Sequence, residues 1–393
     1  MEQTWRWFGP DDKVSLSDAR QAGAEGIVTA LHDVPIGEIW SREAIEKRKQ
    51  TVAAAGMRWS VVESLDVSER IKLRESGAQQ DIDNYIESLR NLAACGIQVV
   101  AYNLMPVFTW MRTHLEWPLP SGATAPRFDA TAFAAFDLYI LRRQDAGEDW
   151  SECRSRAAHA FLHALSEKER EHLQATILQG LPGGSDSFSL EDLRRGIERY
   201  RHIDAAAMRS NAAEFLRRVC PVAQKLGIRL CVHPDDPPRA LFGLPRIVST
   251  ADDLAFLLDQ CAEESNGITF CTGALGVRAD NSLVEMVQRF AHRIWFAHLR
   301  STQREADPDS FFEAAHLEGD ADLVAIVIEL VKQERQRRSR GDLRALPFRS
   351  DHGQQLLNDA DRHAQAGYPA IGRLRGLAEL RGVQKAAERL LPH

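Results

Sequence analysis

Four residues in the C-terminal half, His233, Cys271, His298 and Asp351, are of the types that hold a divalent cation. Each stands at or just past the end of a short β-like run: IRLCVHPDD, ITFCTG, IWFAHLRS and LPFRSDHG. A lone histidine is more often packed or solvated than ligating, and a lone buried cysteine is more often core. Two imidazoles, a thiol and a carboxylate at four consecutive strand ends are harder to attribute to packing. Magnesium and calcium prefer oxygen and would not select a thiol. The set suits Fe²⁺, Mn²⁺, Co²⁺ or Zn²⁺. Four protein ligands would close a tetrahedral zinc site, whereas a metal of higher coordination keeps room for substrate oxygens, which favours Mn²⁺ or Fe²⁺.

Other ionisable groups cluster beside these positions. His352 follows Asp351, Asp235 and Asp236 follow His233, and Arg300 lies two residues past His298. His316 sits in FFEAAHLEGD, His32 ends a strand-like run, Tyr102 and Asn103 end another, and Tyr368 lies in GYPAIGRLRG. Arg300, Asn103, His316 and Asp236 are the candidates for binding substrate, Arg300 through its capacity to hold a carboxylate or hydroxyls. For each, the ordinary reading is a supporting or surface polar group.

Strand ends that converge on one face belong to a (β/α)8 barrel. The chain offers eight strand candidates: 4–8, 26–30, 58–63, 98–103, 228–233, 268–272, 294–299 and 346–349. Helical segments alternate with them. Ser41 opens one that stops at Gly56, and Thr250 with Asp253 opens another as a capping box. The expectation is an α/β TIM barrel over 1–393, interrupted after the fourth strand by a helical insertion spanning 104–219. Within that insertion, Ser166 with Glu169 and Ser189 with Asp192 are further capping boxes. Residues 207–220 read as the barrel helix proper, stopped by Pro221.

With 393 residues, a formal charge of −7 and 44% hydrophobic residues, the chain can bury a large core and does not call for a polyanionic partner. The basic tract 332–344 reads as a solvated helix end rather than a nucleic-acid patch. No apolar run approaches the roughly 20 residues that span a bilayer. MEQTWRWFGPDDK lacks the apolar core of a secretory signal, and the six cysteines form no C-x-x-C pair. A cytoplasmic protein acting on a small molecule is expected, with no nucleic-acid or membrane partner and with a homo-oligomer as a possible state.

Taken together, WRWFGPDD, TALHDVP, YNLMPV, HPDDPPRALFGLPRIVST, CTGALGVRADN, FAHLRST, DHG and GYPAIGRLRGLAELRGV resemble the D-mannonate dehydratases of hexuronate catabolism, over about residues 1–390. The resemblance implies a xylose-isomerase-like barrel that needs Mn²⁺ or Fe²⁺ and converts D-mannonate to 2-dehydro-3-deoxy-D-gluconate and water. It implies His233, Cys271, His298 and Asp351 as metal ligands and His352 with Tyr368 as the acid/base pair. Three departures are visible: Asp33 replaces an expected second His, FRS precedes DHG where a Pro is expected, and Ala274-Leu275 replace Ser-Tyr. None removes a ligand. Residue types alone leave two alternatives, a metal-dependent isomerase or phosphodiesterase barrel and a catalytically silent barrel that binds a sugar acid.

Overall fold

In the computed structural model, which describes residues 1–180 and 188–391, eight parallel strands close into a barrel. Among the described residues, twelve strands occur in chain order. β1 (Glu2–Arg6), β2 (Gly26–Thr29), β3 (Arg58–Glu63) and β4 (Val99–Tyr102) begin the barrel. β7 (Arg229–Val232), β8 (Asn266–Cys271), β9 (Ile294–His298) and β12 (Pro347–Arg349) complete it, and β12 returns to pair with β1. The remaining four, β5 (His114–Pro118), β6 (Thr124–Phe128), β10 (Thr302–Arg304) and β11 (Phe311–Glu313), form a separate antiparallel sheet in the order β10-β11-β6-β5.

Each barrel strand is short and buried because helices cover it outside and side chains fill it inside. Val28, Val61, Ala101, Cys231 and Phe296 belong to a small cluster distinct from the main core between strands and helices. Register then aligns the strand ends. Cys271 pairs with His298 across β8 and β9, and Arg349 pairs with His298 across β12 and β9. Three polar residues on adjacent strands therefore emerge at one level.

Helix starts follow their local chemistry. Ser41 caps the helix Arg42–Ala54, and Gly56 leaves it at φ +76°. Thr250/Asp253, Ser166/Glu169 and Ser189/Asp192 all form reciprocal capping boxes. Pro221, expected to stop a helix, instead lies inside one running Ala205–Leu226. The helix continues because Val219, Cys220 and Ala223 bury its inner face, which outweighs the hydrogen bond that the proline nitrogen cannot make. It ends at Gly227, φ +69°, a left-handed cap.

The segment expected to be a helical excursion over 104–219 is therefore mixed. It carries β5 and β6 as well as helices, and its last residues already belong to the helix that precedes β7. Pro118 and Pro126 disguise the hairpin, since proline in a run argues against a strand. Among the described residues, no helix is long and apolar enough to cross a membrane.

Candidate metal centre and acid/base pair

The four strand-end residues meet at one mouth of the barrel. His233, Cys271 and His298 place one nitrogen, the sulfur and one nitrogen within 4.8 Å of one another. Asp351 lies alongside, with Oδ2 3.8 Å from the Cys271 sulfur and 3.7 Å from His298 Nδ1. Its backbone is left-handed, φ +61°, a conformation costly for a non-glycine residue that turns the chain sharply out of β12.

The hydrogen bonding of the imidazoles bears on whether a cation fits. His233 Nδ1 lies 2.6 Å from the Pro234 carbonyl, so it carries the proton and Nε2 presents a lone pair. That lone pair faces His298 Nδ1 at 3.1 Å. On its far side His298 Nε2 has no hydrogen-bond partner among the described residues, although Glu63 Oε1 stands 3.4 Å away. If the His298 proton turns toward Glu63, two nitrogen lone pairs and a sulfur converge, an arrangement that only a cation between them satisfies. A carboxylate behind a ligating imidazole is the usual support for such a site. The donor set therefore fits a divalent transition metal.

Asp351 is also held by protein cations. Arg300 Nε donates to its Oδ2 at 2.6 Å, and Arg349 pairs with its Oδ1. Burial would raise the Asp351 pKa, but Arg349, His352, His298 and Arg300 outweigh it and hold the carboxyl well below its ordinary range. Glu63 behaves alike, with Arg349, His298 and Arg6 overcoming its burial.

Next to Asp351, the buried His352 is fixed at both nitrogens. Nδ1 lies 3.1 Å from Glu313 Oε1 and Nε2 lies 3.2 Å from the Tyr368 hydroxyl. Glu313 is itself clamped by Arg112 at 2.6 Å and Arg300 at 2.8 Å. With Nδ1–H donated to Glu313, His352 Nε2 accepts from the tyrosine. Burial pushes the Tyr368 hydroxyl up to about 12, with Arg349 opposing, so it stays protonated near neutrality.

A cavity of about 650 Å³ opens above these groups, lined by His233, Asp351, His352 and Tyr368, and by Trp110 and Phe188 of the insertion. The expected substrate binders separate here. Asn103 and Asp236 line the cavity, and Arg300 lines it too but is engaged by Asp351, Glu313 and Asp236 together. Such an arginine positions carboxylates and has little left for an incoming anion. His316 does not line the cavity; it bonds the Ser350 carbonyl at 2.7 Å and supports the turn before Asp351 from behind. Glu63, Arg349 and Glu313 are the residues that reading by motif passes over. Glu63 is the last residue of a strand run, where the convergence rule could have found it. Glu313 lies three residues before His316 in the same FFEAAHLEGD run.

The model of the D-mannonate dehydratase (UxuA) family matches residues 1–392. A mannonate dehydratase from Chromohalobacter salexigens is 55% identical over 99% of this chain and 100% of its own length. One from Marinomonas sp. is 49% identical over 98% of each chain. Among solved structures, mannonate dehydratase from Streptococcus suis serotype2 superposes with a TM-score of 0.77 at 31% identity, covering 99% of this chain and 94% of its own. A xylose isomerase-like TIM barrel protein from Mycobacterium smegmatis, at 15% identity and a TM-score of 0.52, shares the fold. The chain belongs to the D-mannonate dehydratase family.

Proposed function

We propose that this chain eliminates water from D-mannonate, giving 2-dehydro-3-deoxy-D-gluconate, with His352 and Tyr368 as its acid/base pair and with His233, Cys271, His298 and Asp351 as the ligands of a Mn²⁺ or Fe²⁺ ion. The observation that carries the reading is that a thiol-containing donor cluster, reaching the cavity through His233, adjoins a hydrogen-bonded His–Tyr pair that lines the same cavity. When bound, the metal supplies Lewis acidity that offsets the negative charge growing on the substrate carboxylate as the neighbouring proton leaves. The thiol and imidazole donors are the reason for Mn²⁺ or Fe²⁺ over magnesium.

The protein's own groups manage the protons. Elimination removes a proton from C2 and a hydroxide from C3, so the proton gained equals the proton needed to make water leave. His352, its Nε2 lone pair directed by Glu313, is the group suited to take the C2 proton. Tyr368, still protonated, is the group suited to give one to the C3 hydroxyl as it departs. Their mutual hydrogen bond lets the proton pass from imidazole to phenolate, so the pair ends the elimination as it began. The enol released becomes the 2-keto-3-deoxy acid by losing its C2 hydroxyl proton and gaining one at C3. Arg112 and Arg300 keep Glu313 anionic against the burial that would protonate it. A thiol ligand has to stay reduced, and the six free cysteines suit a cytoplasmic setting.

The test is turnover of D-mannonate by metal-free protein, alone and with Mn²⁺, Fe²⁺, Mg²⁺ or Zn²⁺ added anaerobically, read as 2-keto-3-deoxy acid. Product only with Mn²⁺ or Fe²⁺ is expected. His352→Ala and Tyr368→Phe, each metal-loaded, should lose on the order of 10²–10⁴ in kcat. Near-wild-type turnover in both variants would sink the acid/base assignment.

A further inference from the structure

Outside the catalytic cavity, the helix Glu152–Ala164 of the insertion presents a pair of histidines one turn apart. His159 and His163 are both exposed, and neither lines the cavity above the donor cluster. Residues four apart share one face of a helix. Here the two Nε2 atoms stand 3.1 Å from each other, with ring centroids 4.3 Å apart. The face is held from below. Ala158 is fully buried in a cluster with Ala134 and Ala135, and the Tyr139 hydroxyl donates to the Ser155 carbonyl at 3.1 Å. The Tyr139 ring in turn meets His159 edge-on at 5.4 Å.

Two exposed neutral imidazoles gain little from bonding each other, since each can bond solvent instead. A cation between them gains more, and the spacing already suits one. Metal–imidazole bonds of about 2.0–2.1 Å, meeting at octahedral to tetrahedral angles, put the two nitrogens about 2.8–3.4 Å apart. The proton that one Nε2 carries in the metal-free pair can sit on Nδ1 instead, because both rings reach solvent. The neighbouring arginines of the helix are already matched, Arg156 by Glu152 at 2.9 Å and Arg154 by Asp307 at 2.6 Å. Among the described residues no carboxylate pairs with either imidazole, so the protein donors are nitrogen alone. Imidazole suits zinc, nickel and copper, whereas magnesium, calcium and manganese prefer oxygen.

We propose that His159 and His163 form a second metal site, on the surface of the insertion, which binds a divalent ion of the Zn²⁺, Ni²⁺ or Cu²⁺ class through both Nε2 atoms, with water completing its coordination. The site is independent of the dehydratase reading and of the donor cluster at His233. Its ion ties two successive turns of the helix together, and it stabilises the folded insertion by mass action without touching the acid/base pair.

The experiment uses untagged full-length protein and Ni²⁺, which does not oxidise the free cysteines. Calorimetric titration compares wild type with His159→Gln, His163→Gln and a double variant, His163→Ala with Ala164→His, which keeps two histidines but moves one off the shared face. The donor cluster at His233 is intact in all four and cancels from the comparison. Every substituted side chain is exposed, so the helix should persist, as circular dichroism checks. Wild type should show one Ni²⁺-binding event beyond that of the donor cluster, weakened roughly tenfold or more in each variant, as for a chelate reduced to one arm. An additional event that is missing from wild type, or equally strong in either single variant, overturns the site. Full-strength binding by the double variant overturns it as well, since uptake would then need two histidines but not this geometry. No turnover is read, so failure of the dehydratase reading would leave the result standing.

Discussion

At the residue scale, the site is a chain of carboxylate–cation pairs that leaves few side chains independent. Glu313 touches His352, Arg112 and Arg300, all nearly or fully buried. Glu313→Gln keeps the shape but leaves two arginines short of a counter-charge. Breaking a buried pair from one side typically costs about 3–5 kcal/mol, so the urea midpoint should drop clearly, and kcat should fall more than KM rises. A variant with wild-type midpoint and kcat would show that Glu313 orients nothing. Gly273, in the Cys-Thr-Gly turn, has a different constraint: a Cβ there would stand 2.4 Å from Arg300 Cγ. Gly273→Ala should displace Arg300 and lower turnover while leaving the helices intact, checked by kcat alongside far-ultraviolet circular dichroism.

The elements show which local signals governed and which were overruled. Capping residues were legible because a Ser or Thr side chain bonds its own helix within three residues, independent of everything else. Thr250→Ala should therefore cost about 1 kcal/mol in stability, seen as a lower denaturation midpoint. Pro221 was misleading because a proline's local penalty is real but smaller than the burial gained by continuing the helix. Pro221→Ala should restore a backbone hydrogen bond and raise stability by about 2 kcal/mol, seen as a higher midpoint, the interior-helix cost less the entropy that proline removes from the unfolded chain. A lowered midpoint would mean that the ring itself packs usefully. The hairpin β5–β6 is hard to read locally because prolines interrupt both runs, and β6 takes its other partner, β11, from some 180 residues away, as the register Phe311 to Phe128 shows.

For the whole molecule, stability should depend on pH through histidines that fold neutral. Burial, with Arg6 and Arg48, takes His32 down to about 3, and burial with Arg127 takes His114 down to about 4. Unfolded, both return to about 6.5. The unfolded chain then binds more protons, so stability rises with pH, is fully present above about 6.5 and is progressively lost as pH falls toward 4. The urea midpoint should decline from pH 7 to pH 5, and His114→Gln should flatten that slope; an equal slope would show that other groups set it. A ligand that binds only the folded chain stabilises it by mass action. Chelation should therefore lower the thermal midpoint and abolish turnover, and Mn²⁺ or Fe²⁺ should restore both. Cys271→Ser, with a harder donor, should lose most of that stabilisation.

What the sequence determined by itself was written in short range. The eight barrel strands, the helix caps and the four ligand-type residues each announce themselves within a few positions, because strand burial, capping and strand-end polarity are local properties. The family resemblance rests on such segments as well. Tertiary structure decided what depends on distance through space. It placed His316 behind the site and turned Arg300 into a clamp for three carboxylates. It also brought Glu313 from the antiparallel sheet to His352, and Trp110 from the insertion over the cavity. Barrel closure sets which strand ends converge, and it brings the distant neighbours that settle the charge of a buried group, as Arg349, His298 and Arg6 do for Glu63.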